Sequence, residues 1–203
     1  MNTFYQKRYE AEKYKSRLKS GVKWIDNRVP NDIESLLINS FIGLKKAQPI
    51  DTSSEAYTSI NYFLSVYSKA SKWMALLEQD LGTAAFDSSM KLYYQQWKFK
   101  HPYPADFKLA VEQASNKNID ARFQQMYLNN SLDTIAAKKK TKLVGLFSLN
   151  NTNKYNYISV APIVGGNYYD KLTVGLLINN YQLPVNRFNF FLAPQYATGS
   201  KQF

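Results

Sequence analysis

The sequence predicts an α+β fold in which a helical part precedes a β-rich part. Apolar residues recur every three or four positions over the first two thirds of the chain, and they alternate with a period near two after residue 142. Glycine, tyrosine and asparagine replace glutamate and alanine at the same point. We therefore predict a helical segment over 1–137, a basic linker over 138–142 and an incomplete antiparallel β unit over 143–203.

Helices are predicted wherever the apolar spacing fits one helical face. The clearest runs from Ile60 to Leu81 and ends at Gly82, where Thr83 is placed to cap the next helix. Pro104 suits the first turn of a further helix. The remaining predicted helices cover residues 2 to about 18, 32–44 and 120–127.

Four strands are predicted after the lysine run, at 143–149, 155–163, 172–181 and 188–196. Their aromatic-rich alternation is typical of the start of an up-and-down barrel of outer-membrane type, and equally of a small soluble meander or sandwich edge. The residues leave these alternatives open. The first implies membrane contact through 143–203 and favours the bacterial envelope, periplasm or outer membrane. In both, an exposed sheet edge favours self-association.

The charge balance raises the question of an anionic partner. The 203 residues include 26 Lys and Arg against 15 Asp and Glu, a net charge of +11. The basic residues are spread along the chain, and the one dense run, Lys138 to Lys140 with Lys142, lies at the predicted junction. No helix-turn-helix or stacking sheet accompanies the charge, so we expect no nucleic-acid partner.

The sequence contains one histidine, His101, and no cysteine. It therefore cannot supply a His-Glu-x-x-His or cysteine-rich zinc site, a Ser-His-Asp triad or a Cys-His pair. His101 lies between Lys100 and Pro102, and the residue before a proline is disfavoured in a helix. We interpret it as a loop histidine.

Two stretches carry a resemblance to a known family. Residues 1–13 read MNTFYQKRYEAEK, and residues 54–107 contain Tyr67-Ser68-Lys69-Ala70, Leu76-Leu77-Glu78, Leu81-Gly82 and Trp97-Lys98-Phe99-Lys100-His101-Pro102-Tyr103-Pro104. The first resembles the helix after the Asn-Glu-Gly motif of aminopeptidase-N-like zinc metallopeptidases, the gluzincins. The second is similar to the family's Tyr-x-Lys-Gly and Leu-Glu-x-x-Leu-Gly helices, in the variety associated with Bacteroidetes-type sequences. Order and spacing, not any single tetrapeptide, give the match its force.

The resemblance implies the C-terminal part of a thermolysin-like catalytic domain that hydrolyses N-terminal peptide bonds with zinc. In the family, the ligands come from His-Glu-x-x-His and Asn-Glu-Gly motifs, and neither lies in this sequence. We therefore interpret the chain as a fragment, with zinc and peptide substrate belonging to the intact parent, and expect it to be inactive alone and to bind no cofactor. The alternatives are a noncatalytic scaffold or binding module and an outer-membrane-associated envelope protein.

The resemblance also singles out Tyr67. The family's equivalent tyrosine donates a hydrogen bond to the oxyanion that forms during peptide hydrolysis. This sequence has Ala70 where the family usually has glycine, and Tyr62 is a weaker candidate for the same role. Periodicity alone makes Tyr67 a core aromatic, and an offset of five places Tyr62 on a different part of an α-helical surface.

Carboxylates elsewhere in the helical part do not form an evident acid-base pair. Their contexts are polar, and we expect roles in helix pairing or capping. The residues concerned are Glu10, Glu12, Glu55, Glu78 and Asp87.

Overall fold

The computed structural model describes residues 1–14, 22–30, 32–133 and 138–202. They form two compact units. The first, helical, contains residues 1–14 and Ala47–Leu132, and the second contains the described residues of 22–46 with 133 and 138–202. The predicted α+β class is confirmed. Within the described ranges, no helix is both long enough and apolar enough to cross a membrane.

The helices follow the predicted order. They are α1 (Asn2–Lys13), α2 (Lys23–Asp26), α3 (Ile33–Gly43), α4 (Ser59–Asn61), α5 (Ala70–Leu81), α6 (Thr83–Trp97), α7 (Pro104–Ser115) and α8 (Asp120–Gln124). A π-helix, Tyr62–Lys69, joins α4 to α5, and 3-10 turns cover Ser54–Ala56 and Gln125–Tyr127. Helix α1 ends at Lys13, earlier than predicted, and residue 18 lies outside the described residues.

The core of the first unit lies where α1, α5, α6, α7 and α8 meet. Leu77, Phe86 and Val111 are completely buried at its centre. Burial of each such side chain contributes roughly 1.5–3 kcal/mol. The other buried members of this core are Phe4, Trp73, Met74, Leu81, Met90, Ile119 and Phe123.

Glycine and proline set the helix boundaries in this unit. Gly82, with φ of 84° and ψ of 148°, adopts a conformation that side-chain-bearing residues rarely enter, and it separates α5 from α6. Thr83 is the first residue of α6 and does not cap it, because its hydroxyl donates to Glu78 Oε1 at 3.1 Å. Pro104 begins α7 as predicted, and Asp106 accepts a 2.8 Å hydrogen bond from the Tyr103 backbone nitrogen.

The second unit contains a five-stranded mixed sheet. Its strands are β1 (Lys140–Gly145), β2 (Tyr155–Asn167), β3 (Lys171–Asn179), β4 (Phe191–Leu192) and β5 (Gln195–Ala197). Strands β1 and β2 pair in parallel, so the wholly antiparallel arrangement expected from the sequence is wrong for this pair. Residues 146–154 return the chain along the length of β1, which a tight hairpin turn cannot do.

The fourth predicted strand is interrupted. Strands β4 and β5, on the two sides of the break, pair with β3 in the same antiparallel register. This register runs from Asn179 opposite Phe191 to Thr173 opposite Ala197. Pro194 lies in the gap between β4 and β5 and has no N–H to donate, although its carbonyl accepts from Leu176 N at 3.1 Å. The proline therefore breaks the strand without shifting its register.

The compact units differ from the predicted domain division. Lys140 to Lys142 belong to β1 instead of a linker, because they pair with the start of β2. Helices α2 and α3 group with the sheet, where the nitrogen of Leu149 donates to the Arg28 carbonyl at 2.8 Å. The rings of Trp24 and Phe147 also meet, with centroids 5.9 Å apart.

Candidate functional site

The π-helix Tyr62–Lys69 changes which side chains face solvent. Tyr67, which periodicity predicts to be in the core, is 42% exposed, whereas Lys69 is only 2% exposed. A π-helix has i→i+5 hydrogen bonds in place of i→i+4, so its faces do not follow the α-helical spacing from which the prediction was made. Such segments are frequent at functional sites.

The same geometry brings Tyr62 and Tyr67 together. Their ring centroids lie 5.8 Å apart with an interplanar angle of 76°. The expectation that an offset of five separates them is therefore wrong, because in a π-helix this offset corresponds to about one turn. Four exposed or half-buried rings form an aromatic patch here, namely Tyr57, Tyr62, Phe63 and Tyr67.

Buried polar side chains hold the opposite side of the π-helix. Ser65 donates its hydroxyl to the Gln48 carbonyl at 2.9 Å, and Lys69 donates Nζ to the Leu128 carbonyl at 2.8 Å. Burial lowers the pKa of Lys69 because the charged form loses hydration. These bonds connect the segment to chain on either side of it and fix the orientation of the aromatic patch.

Tyr57 anchors the patch from the neighbouring loop. Its hydroxyl lies 2.7 Å from both the Pro49 and the Ile50 carbonyl oxygens, and burial raises its pKa. Its ring packs edge-on against Tyr62 at 5.9 Å. The Tyr57 hydroxyl is thus hydrogen-bonded to the protein backbone, while the Tyr67 ring is exposed to solvent.

The chemistry available to Tyr67 is that of a neutral hydrogen-bond donor. Interaction with the adjacent Tyr62 phenol raises the pKa of Tyr67 above its ordinary value of 10.0. The phenol is therefore protonated at neutral pH, as a group that donates to a developing oxyanion must be.

Two of the acidic residues, Glu78 and Asp87, interact with a neighbouring helix, as the sequence led us to expect. Arg8 of α1 donates two hydrogen bonds to Asp87 of α6, at 2.7 and 3.0 Å, and lies 3.6 Å from Glu78. Glu10 accepts from Gln6 within α1 at 2.9 Å, and Glu12 and Glu55 are exposed. His101 is exposed in the loop before α7, which confirms its interpretation as a loop residue.

Sequence reasoning missed a cleft between α1 and α6. Its volume is about 810 Å³, and its walls combine aromatic rings with charged side chains. Tyr5, Tyr9, Tyr94 and Trp97 contribute rings. No sequence motif marks this cleft, because residues far apart in the chain form it.

The potential metal ligands of the described residues are not clustered. In the part of the chain that the structure describes, nowhere do three His, Cys, Asp or Glu side chains lie together. These residues therefore do not fit a catalytic zinc ion, which needs about three protein ligands.

A comparison with protein-family models finds no match to this chain, and a comparison with curated proteins finds none either.

Proposed function

We propose that the helical unit is part of a zinc-dependent aminopeptidase catalytic domain, in which Tyr67 donates a hydrogen bond to the oxyanion of the scissile peptide. The exposure of Tyr67 on a π-helix whose far side is anchored by Lys69 carries this proposal. A tyrosine whose role was only to pack in the core would be buried, whereas the Tyr67 ring is exposed. The resemblance of residues 54–107 supports the same role.

The arrangement supports Tyr67 over Tyr62 as the donor. Tyr62 lies between Tyr57 and Tyr67 in the aromatic patch, and its ring packs edge-on against both. In this role Tyr62 orients the Tyr67 ring by packing against it. A fixed donor is more effective than a mobile one, because it costs no reorganisation when the oxyanion forms.

The proposal requires zinc ligands from polypeptide outside this sequence. Its first test is to read the nucleotide sequence upstream of the Met1 codon in the same frame. His-Glu-x-x-His followed by Asn-Glu-Gly directly before Met1 would support the proposal. A stop codon and a promoter there would contradict it and favour a metal-free scaffold.

Within a polypeptide extended in this way, Tyr67→Phe tests the donor. We expect kcat for an aminoacyl p-nitroanilide to fall by about 10²–10³-fold, the usual cost of removing one oxyanion donor. Tyr127→Phe, at a tyrosine of the Gln125–Tyr127 turn that is 42% exposed like Tyr67 and lies outside the cleft, is the matched control and should leave kcat unchanged. Full activity in Tyr67→Phe, or a larger loss in Tyr62→Phe, would remove Tyr67 from the role.

A further inference from the structure

The sheet of the second unit exposes its apolar face. Val164 of β2 lies directly opposite Val174 of β3, and these side chains are 71% and 41% exposed. Residues paired or two apart along a strand share a face, which extends this surface across β1 to β4. We call it the apolar sheet face; its exposed members are Leu143, Val164, Leu172, Val174, Leu176 and Leu192.

The opposite face of the same sheet is buried around the middle of β2 and at β5, where the residues are small or polar. Ser159, Ala161 and Ala197 are each at most 9% exposed, and Tyr157 donates its hydroxyl to the Asn150 carbonyl at 2.6 Å. A sheet that packs on a soluble core usually buries its apolar side and hydrates its polar side. In this sheet the buried central positions are small or polar while Val164, Val174 and Leu176 are exposed, which indicates an apolar medium or partner on the exposed side.

Charge favours an anionic partner. Residues 138–202 contain eight lysines and arginines and one acidic residue, Asp170. Lys140 and Lys154 lie at one end of the sheet and Lys171 at the other, so both ends of the strands that carry the apolar sheet face are basic, although Lys140 and Lys171 pair with residues of the opposite face. Basic residues flanking an apolar surface match the headgroups and acyl chains of an anionic membrane.

Exposed tyrosines lie at the hairpin end of the sheet. Tyr168 and Tyr169 in the β2–β3 turn are 84% and 83% exposed, and Lys171 Nζ is 5.1 Å from the centre of the Tyr168 ring. Asn167 holds this turn by accepting hydrogen bonds from the backbone nitrogens of Tyr169 and Asp170. Tyrosine is enriched at membrane–water interfaces because its ring is apolar and its hydroxyl polar.

We infer that the apolar sheet face binds the surface of an anionic phospholipid bilayer. The side chains of the face enter the boundary between headgroups and acyl chains, and the lysines and tyrosines at its ends contact the headgroups. Strand β1 forms one edge and strands β4 and β5 the other, and their unpaired backbone groups would be costly in hydrocarbon, so the edges stay at the hydrated headgroup level.

Vesicle flotation of the full chain tests this inference. We expect the chain to float with vesicles of phosphatidylglycerol and phosphatidylcholine in equal parts, more weakly with phosphatidylcholine alone, and still in part at high ionic strength. The double variant Val164→Thr with Val174→Thr keeps the β-branched shape that strands favour. It should lower the partition coefficient of the chain into vesicles about tenfold, because two apolar groups become polar. Leu143→Thr on β1 is an independent second variant and should also lower the partition into vesicles.

The matched control is Leu109→Gln. Leu109 is 63% exposed on α7 of the helical unit, and its replacement should leave flotation unchanged. Far-UV circular dichroism identical to the parent chain establishes that the variants fold. Absence of flotation, flotation insensitive to the sheet substitutions, or a dimer in sedimentation velocity that the same substitutions dissociate would each overturn the inference. The last outcome would assign the face to a second copy of the chain.

Discussion

Arg8 and Asp87 form a bidentate ion pair between helices α1 and α6 of the first unit. Two parallel hydrogen bonds, 2.7 and 3.0 Å long, join the guanidinium of α1 to the carboxylate of α6. This hydrogen bonding lowers the pKa of Asp87 and raises that of Arg8. The bidentate geometry makes this pair stronger than a typical surface pair, although its side chains are 32% and 39% exposed and screened by solvent.

The lowered pKa of Asp87 predicts a pH-dependent contribution to stability. Its folded pKa lies below its unfolded value of about 3.9, so the contribution is fully present at pH values well above that value and disappears as the pH falls through the folded pKa. Asp87→Asn should lower the free energy of unfolding by about 0.5–1 kcal/mol at neutral pH. Urea unfolding at several pH values measures this difference, which should vanish in acid.

The double variant Arg8→Met with Asp87→Asn isolates the pair. If the ion pair causes the effect, Asp87→Asn should change stability little in the Arg8→Met background. An undiminished, pH-independent loss in that background would assign the effect to helix α6 itself.

At the scale of elements, close backbone approach decides the β3–β5 pairing. A Cβ atom at Gly175 would overlap the Pro194 carbonyl oxygen and contact the Gln195 backbone, whereas one at Gly145 in β1 would meet no atom within 4 Å. Pro194 accepts the hydrogen bond from Leu176 N at 3.1 Å, so its carbonyl is held in place. Glycine at 175 therefore allows the two strands to pair across the proline.

Gly175→Ala should accordingly destabilise the second unit by about 1–3 kcal/mol, the usual cost of forced overpacking. Thermal unfolding measures the loss, and amide exchange should accelerate at Leu176. Gly145→Ala is the control in the same sheet and should change stability by less than about 1 kcal/mol. Equal effects of the two substitutions would refute the close-approach argument.

At the scale of the whole chain, the donor set predicts how the protein responds to metal. Its one histidine is exposed, cysteine is absent from the sequence, and no three potential ligands meet within the described ranges. We expect isothermal titration of the chain with zinc to reveal no stoichiometric site, and we expect no hydrolysis of aminoacyl p-nitroanilides. One site of micromolar or tighter affinity would refute the assignment of the zinc ligands to polypeptide outside this sequence.

The sequence by itself determined the class and most element positions. The change of period near residue 142 separates helices from strands, and Gly82 and Pro104 mark helix boundaries that the structure confirms. These features depend on local backbone preferences and on one apolar face for each element, which neighbouring residues encode. Pro194 also carries a local signal for a broken strand, one that the predicted strand 188–196 overlooked.

Tertiary structure alone decided which faces are exposed and which elements meet. The π-helix moves Tyr67 out of the predicted core and buries Lys69, since anchoring bonds to Gln48 and Leu128 hold a turn that α-helical spacing does not describe. The parallel pairing of β1 and β2 and the cleft between α1 and α6 depend on contacts between residues distant in sequence. Periodicity identifies an apolar face, but only packing determines whether that face is buried, and the exposed sheet face of the second unit follows from packing.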